Sequence, residues 1–169
     1  MIKNEIRVAA VQFDVGENID QNLEKSLKMI SRSSNYKPNL IVLPEFINHC
    51  SWYEDENHCY SVAVEMDGYF LNEIRNKASE LEIFIVINCT VKREAKKVTG
   101  TNILISPNGE VLAESDKQVL MGNENNFLMC AKTLGPVTKT TIGRLGMFSC
   151  MDGVMYETPR CIALRDAQI

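Results

Sequence analysis

No apolar stretch in this 169-residue chain approaches the ~20 residues that cross a bilayer; the longest, such as Ile83 to Ile87, are far shorter. The sequence therefore predicts no transmembrane helix. It also has no run of five like charges, and its formal charge of -4 lacks the clustered Lys and Arg that offset phosphates, which argues against a nucleic-acid partner. The N-terminus, MIKNEIRV, leads directly into a strand-like pattern without the apolar region of a secretory signal, and the expected location is the cytoplasm. There is no C-x-x-C, so neither a zinc ribbon nor a thioredoxin-type pair is supported, and the six cysteines are read as free thiols. His49-Cys50 and His58-Cys59 are adjacent pairs whose side chains diverge along an extended backbone; no metal site is expected there.

What is present alternates between two periodicities. Ile6 to Gln12 (IRVAAVQ) reads as a strand covered on both faces. Asn18 then caps a helix with an apolar stripe of Ile19, Leu23, Leu27 and Ile30. LIVL at 40–43 is a second buried strand, stopped by Pro44, because proline cannot donate to a central ladder. After an irregular polar and aromatic stretch, Leu71, Ile74, Ala78 and Leu81 repeat at helical spacing, and IFIVINCTV at 83–91 forms the next strand. TNILIS and EVLAES, joined across Pro107-Asn108-Gly109, make a hairpin, so the sheet is mixed. One short strand is expected within 118–143, then RLGMFSC at 144–150, a helix near Pro159, and in the final DAQI the opening of another strand. No repeat, low-complexity segment or linker divides the chain, which reads as one α/β domain over 1–169.

Three residues share one kind of place in that order. Glu45 follows the LIVLP strand, Lys117 follows EVLAES, and Cys150 ends the RLGMFS strand, at the strand ends where α/β sheets gather function. A carboxylate to take a thiol proton and an ammonium to hold an oxyanion would suffice for acyl transfer, and a nearby ammonium would lower the thiol pKa. Singly, each has a plainer reading: an inert small hydrophobe, a solvated loop carboxylate and a snorkelling lysine.

The flanking residues favour the joint reading. VAAVQFD, LIVLPE, the NGEVL hairpin leading to SDK, and GRLGMFSCMDG with E-x-x-R together resemble the nitrilase superfamily, the carbon–nitrogen hydrolases, along essentially the whole chain. The resemblance implies an αββα sandwich with mixed sheets, of which this chain would hold the N-terminal portion, incomplete at its C-terminus. It implies a Glu45, Lys117, Cys150 triad, with Glu124 in the place of a second glutamate and the Met151 N–H as a further oxyanion donor. The implied reaction is hydrolysis of a small amide through a thioester on Cys150, with no cofactor, in a homo-oligomer. Cys150-Met151-Asp152-Gly153 looks like the aliphatic amidase and ω-amidase side, since nitrile-cleaving members show Cys-Trp-Glu there. Gly153 and Val154 count against an N-carbamoyl substrate. Tyr156 replaces a usual Pro, and Ser115-Asp116 replaces an aromatic-Arg pair. The alternatives are a catalytically silent interaction module of the same fold, and an N-carbamoyl hydrolase. Trp52, Tyr53 and Tyr60 are candidates to line the pocket or a subunit contact.

Overall fold

The structure, a computed structural model, describes residues 5–169. A sheet of order β1-β2-β3-β4-β5 is built from Val8–Ala10, Leu40–Val42, Phe84–Lys92, Val98–Ile105 and Val111–Asp116. β1, β2 and β3 pair in parallel, and β3, β4 and β5 pair antiparallel, so the expected mixed sheet is present. The parallel strands are joined through helices: α1 (Ile19–Ser34) between β1 and β2, then α2 (Glu56–Val62) and α3 (Tyr69–Leu81) between β2 and β3. α1 starts where Asn18 was expected to cap it, with its side-chain oxygen accepting from Gln21 N at 2.9 Å.

Alternation along the strands divides the core between two faces. Leu23 and Ile30 of α1 and Leu71, Ile74 and Ala78 of α3 cover Ile41, Ile85, Ile87, Ile103 and Ile105. On the other face Leu40, Phe84, Leu104 and Ala113 meet Ile142, Leu145 and Met147. Leu145 belongs to a separate two-stranded ladder, β6 (Thr138–Thr140) with β7 (Gly143–Leu145), and Ile142 to the turn that joins its strands.

Some expectations are corrected. β1 is an edge strand and is not covered on both faces: Val8 is 46% exposed. The stretch after Glu45 is not wholly irregular, because Asp55 caps the short helix α2 by accepting from His58 N at 2.8 Å. RLGMFS is not one strand; β7 ends at Leu145 and residues 146–149 leave the ladder. The final residues are not a strand, although Gln168 N donates to Arg144 O at 2.8 Å and Gly146 N to Ile169 O at 2.9 Å, which lays them beside β7. α6 (Glu157–Leu164) contains Pro159 within its first turn, where a missing N–H costs nothing. All six cysteines are free, and no described helix is long and apolar enough to cross a membrane.

Candidate active site

β2 ends at Val42, Leu43 N still donates to Val86 O at 3.0 Å, and after Pro44 the chain turns at once: Phe46 stands at φ 52°. That turn is secured from β3. The Asn88 side-chain oxygen accepts from Phe46 N at 3.0 Å, and the Asn88 carbonyl accepts from Ile47 N at 2.9 Å. Two residues on, Asn48 donates to Thr90 Oγ1 at 2.7 Å and accepts from Thr90 N at 2.9 Å. Glu45 is thereby held at the rim with 27% of its side chain exposed.

Lys117 follows β5, and its side chain is fully buried. An isolated ammonium would be costly there, and two carboxylates offset it. Lys117 Nζ donates to Glu45 Oε1 at 2.7 Å and to Glu124 Oε2 and Oε1 at 2.9 and 3.1 Å. Burial pulls the ammonium's pKa down, but hydrogen bonds and charge from Glu45 and Glu124 outweigh it, so the pKa lies above the ordinary lysine value. The Phe46 ring faces the same nitrogen, 4.9 Å from its centroid. Glu124 opens the one-turn helix α4 (Glu124–Phe127), is itself buried, and also accepts from Met121 N at 3.0 Å.

Cys150 lies just before α5 (Met151–Val154), at φ 51° and ψ -118°, outside the regions that L-residues ordinarily occupy. Its thiol pKa is raised, first by lost solvation and then by the negative charge of Glu45; Lys117 and the Met151 N–H act the other way and do not prevail. The sequence-based expectation that Lys117 acts to lower this pKa holds for its own charge, but burial and the Glu45 charge outweigh it. Two carboxylates already claim the ammonium. A raised thiol pKa favours the neutral thiol, so any use of Cys150 as a nucleophile would call for a neighbouring base.

The structure brings Glu45, Lys117 and Glu124 into direct contact and sets the Cys150 thiol close enough for the charges of Glu45 and Lys117 to act on it, with the Met151 N–H beside that thiol. Tyr53 is not at the site's surface: it is buried with Phe46, Cys59 and Leu128, its ring 5.5 Å from Phe127, whereas Trp52 is exposed. Two residues escaped the sequence reading. Asp152 is buried and its Oδ1 accepts from Gln118 N at 3.1 Å and Val119 N at 2.8 Å, which fastens the segment after Lys117 to the one after Cys150. Asn88 is the other, and its signal was an amide inside the largely apolar IFIVINCTV.

The carbon–nitrogen hydrolase family matches residues 7–169, which is nearly the whole chain. The chain belongs to that family. Among its relatives, a probable nitrilase of Schizosaccharomyces pombe is 26% identical over 90% of this chain and 57% of its own length. A cyanide hydratase of Microdochium sorghi is 25% identical over 89% of this chain and 45% of its own length. The crystal structure of the Caenorhabditis elegans NitFhit protein superposes with a TM-score of 0.87 at 22% identity, covering 98% of this chain and 42% of that one. An amidase from Nesterenkonia sp. gives 0.83 at 23% identity, covering 96% and 62%. The carbon–nitrogen hydrolase fold is therefore shared throughout, and the chain spans about half the length of the curated relatives it matches.

Proposed function

We propose that this carbon–nitrogen hydrolase cleaves a small amide through a thioester on Cys150. The observation that carries the reading is the fully buried Lys117 ammonium bound to Glu45 and Glu124, with Glu45 acting on the Cys150 thiol. Glu45 takes the thiol proton as Cys150 Sγ bonds to the amide carbon. The carbonyl oxygen gains the electron pair and is held by Lys117 Nζ and the Met151 N–H. When the carbon–nitrogen bond breaks, the protonated Glu45 gives its proton to the departing nitrogen, leaving an acyl group on sulfur. Water, deprotonated by Glu45, then attacks the thioester; the acid departs and the thiolate recovers the proton. Glu124 keeps the ammonium in place.

Cys150-Met151-Asp152-Gly153 supports an amide over a nitrile. Relatives named for nitrile and cyanide chemistry make the nitrile of the same acyl group the proper comparison. Ammonia release is measured over short aliphatic amides, dicarboxylate monoamides, N-carbamoyl compounds and the matching nitriles. The expected result is a higher kcat/KM for an amide than for its nitrile, and a loss of at least about three orders of magnitude in Cys150→Ser. Faster nitrile turnover overturns the substrate class. Near-normal turnover in the serine variant overturns the mechanism, and no turnover of any of these substrates by the wild type favours the catalytically silent reading.

A further inference from the structure

The segment that delivers Cys150 has left its β-ladder before it arrives. β7 ends at Leu145, and residues 146–149 have no strand partner among the described residues. Their attachment to the main sheet runs through side chains. Asn88 of β3, Asn102 of β4 and Ser115 of β5 stand opposite one another in register. All three are buried. Asn88 Nδ2 donates to Asn102 Oδ1 at 3.0 Å, Asn102 Nδ2 donates to Ser115 O at 3.1 Å, and Ser115 Oγ donates to Met147 O at 3.1 Å. The file closes on the same segment at its other end, where Asn88 Nδ2 donates to Ser149 Oγ at 3.3 Å.

Asn88 therefore touches both turns that carry the chemistry. Its oxygen holds the N–H of Phe46, the residue after Glu45, and its nitrogen reaches Ser149, the residue before Cys150. Phe46 and Cys150 each have positive φ, so each turn needs outside support to persist. An amide has the required chemistry: one oxygen to accept from the first turn and two N–H groups to serve the second turn and the file. We infer that Asn88 is a positioning residue that sets the separation between Glu45 and Cys150. It touches no reacting atom in this arrangement. The inference rests on the hydrolase reading for its purpose, but its geometry can be tested without turnover.

The test is the pH dependence of Cys150 alkylation by iodoacetamide, followed by mass spectrometry of the Cys150 peptide, with thermal melting recorded alongside. Glu45→Gln removes the negative charge beside the thiol, and the midpoint should fall by roughly 0.5–1 pH unit. Asn88→Ala should move it in the same direction, and Asn88→Ala with Glu45→Gln should move it no further than Glu45→Gln alone. Ser149→Ala, which removes only the contact on the Cys150 side, should shift it in the same sense by less, and decides the matter if Asn88→Ala does not fold. A purely structural Asn88 would lower the melting temperature and leave the midpoint in place. That result, or additive shifts in the double variant, overturns the inference. No shift in Glu45→Gln removes the Glu45–Cys150 pairing itself, and with it both the inference and the mechanism.

Discussion

Gly100 and Lys117 face each other across the β4–β5 pair: Lys117 N donates to Gly100 O at 2.8 Å, and a Cβ at position 100 would stand 2.9 Å from Lys117 Cδ and 2.9 Å from Phe46 Cε1. The missing side chain is what lets the lysine stem pass against the Phe46 ring. Gly100→Ala should lower stability by about 1–3 kcal/mol in a urea titration, the usual cost of forcing extra volume into a filled site. It should also reduce turnover by shifting Nζ. Unchanged stability would show that the stem can move aside freely.

Lys117→Met should cost about 3–5 kcal/mol, because it leaves Glu45 and Glu124 facing each other without their shared cation. Adding Glu45→Gln and Glu124→Gln to that variant should restore most of the loss, while activity stays absent. Urea midpoints of the single and triple variants measure this; equal midpoints would mean that the ion cluster has little bearing on stability.

Asp152→Ala leaves the N–H groups of Gln118 and Val119 without their acceptor at a buried position, and a loss of roughly 2–4 kcal/mol is expected. Asp152→Asn keeps an oxygen there and should lose markedly less. The comparison needs only chemical denaturation. Equal losses would point to the charge of Asp152 as the feature that matters.

Burial raises the Cys59 thiol from 9.0 to about 11. A folded-state pKa above the unfolded one gives stability that is complete below the unfolded value and is lost as pH rises through the folded value. Unfolding free energy should therefore fall between pH 9 and 11, with Cys59 accounting for up to about 3 kcal/mol. Cys89, also raised by burial, and Lys117, raised by its carboxylates, act in the same direction toward higher pH. Cys59→Ala should show a shallower decline over that window, and an identical slope would refute the assignment.

The α/β order, the hairpin and the sequence positions of Glu45, Lys117 and Cys150 were legible because each is a local pattern: a periodicity, a turn signal, a residue at the end of an apolar run. Glu124 was visible only as a place in a resemblance, and its contact with Lys117 Nζ shows why a carboxylate in the GNENN loop is buried. Asn88 was not legible as a partner of Phe46, since the two are separated by 42 residues and no local rule pairs an amide in a strand with a turn that distant. Asp152 was hidden likewise, 33 residues from the Val119 N–H it accepts from. The net direction of the Cys150 shift was hidden for a related reason: sequence suggests the lysine's pull on the thiol, but not the burial and the Glu45 charge that outweigh it.

The positive φ angles at Phe46 and Cys150 set a limit on how this molecule can be made sturdier. Backbone of that kind costs on the order of 1–3 kcal/mol per residue, and substitution by glycine would relieve it most directly. Glycine at 150 would delete the proposed nucleophile, and glycine at 46 would remove the ring beside the Lys117 ammonium. A library selected for heat tolerance alone would thus be drawn toward variants that have given up the chemistry, whereas one screened for turnover would retain both strained turns and find its stabilising changes elsewhere in the sheet and helices.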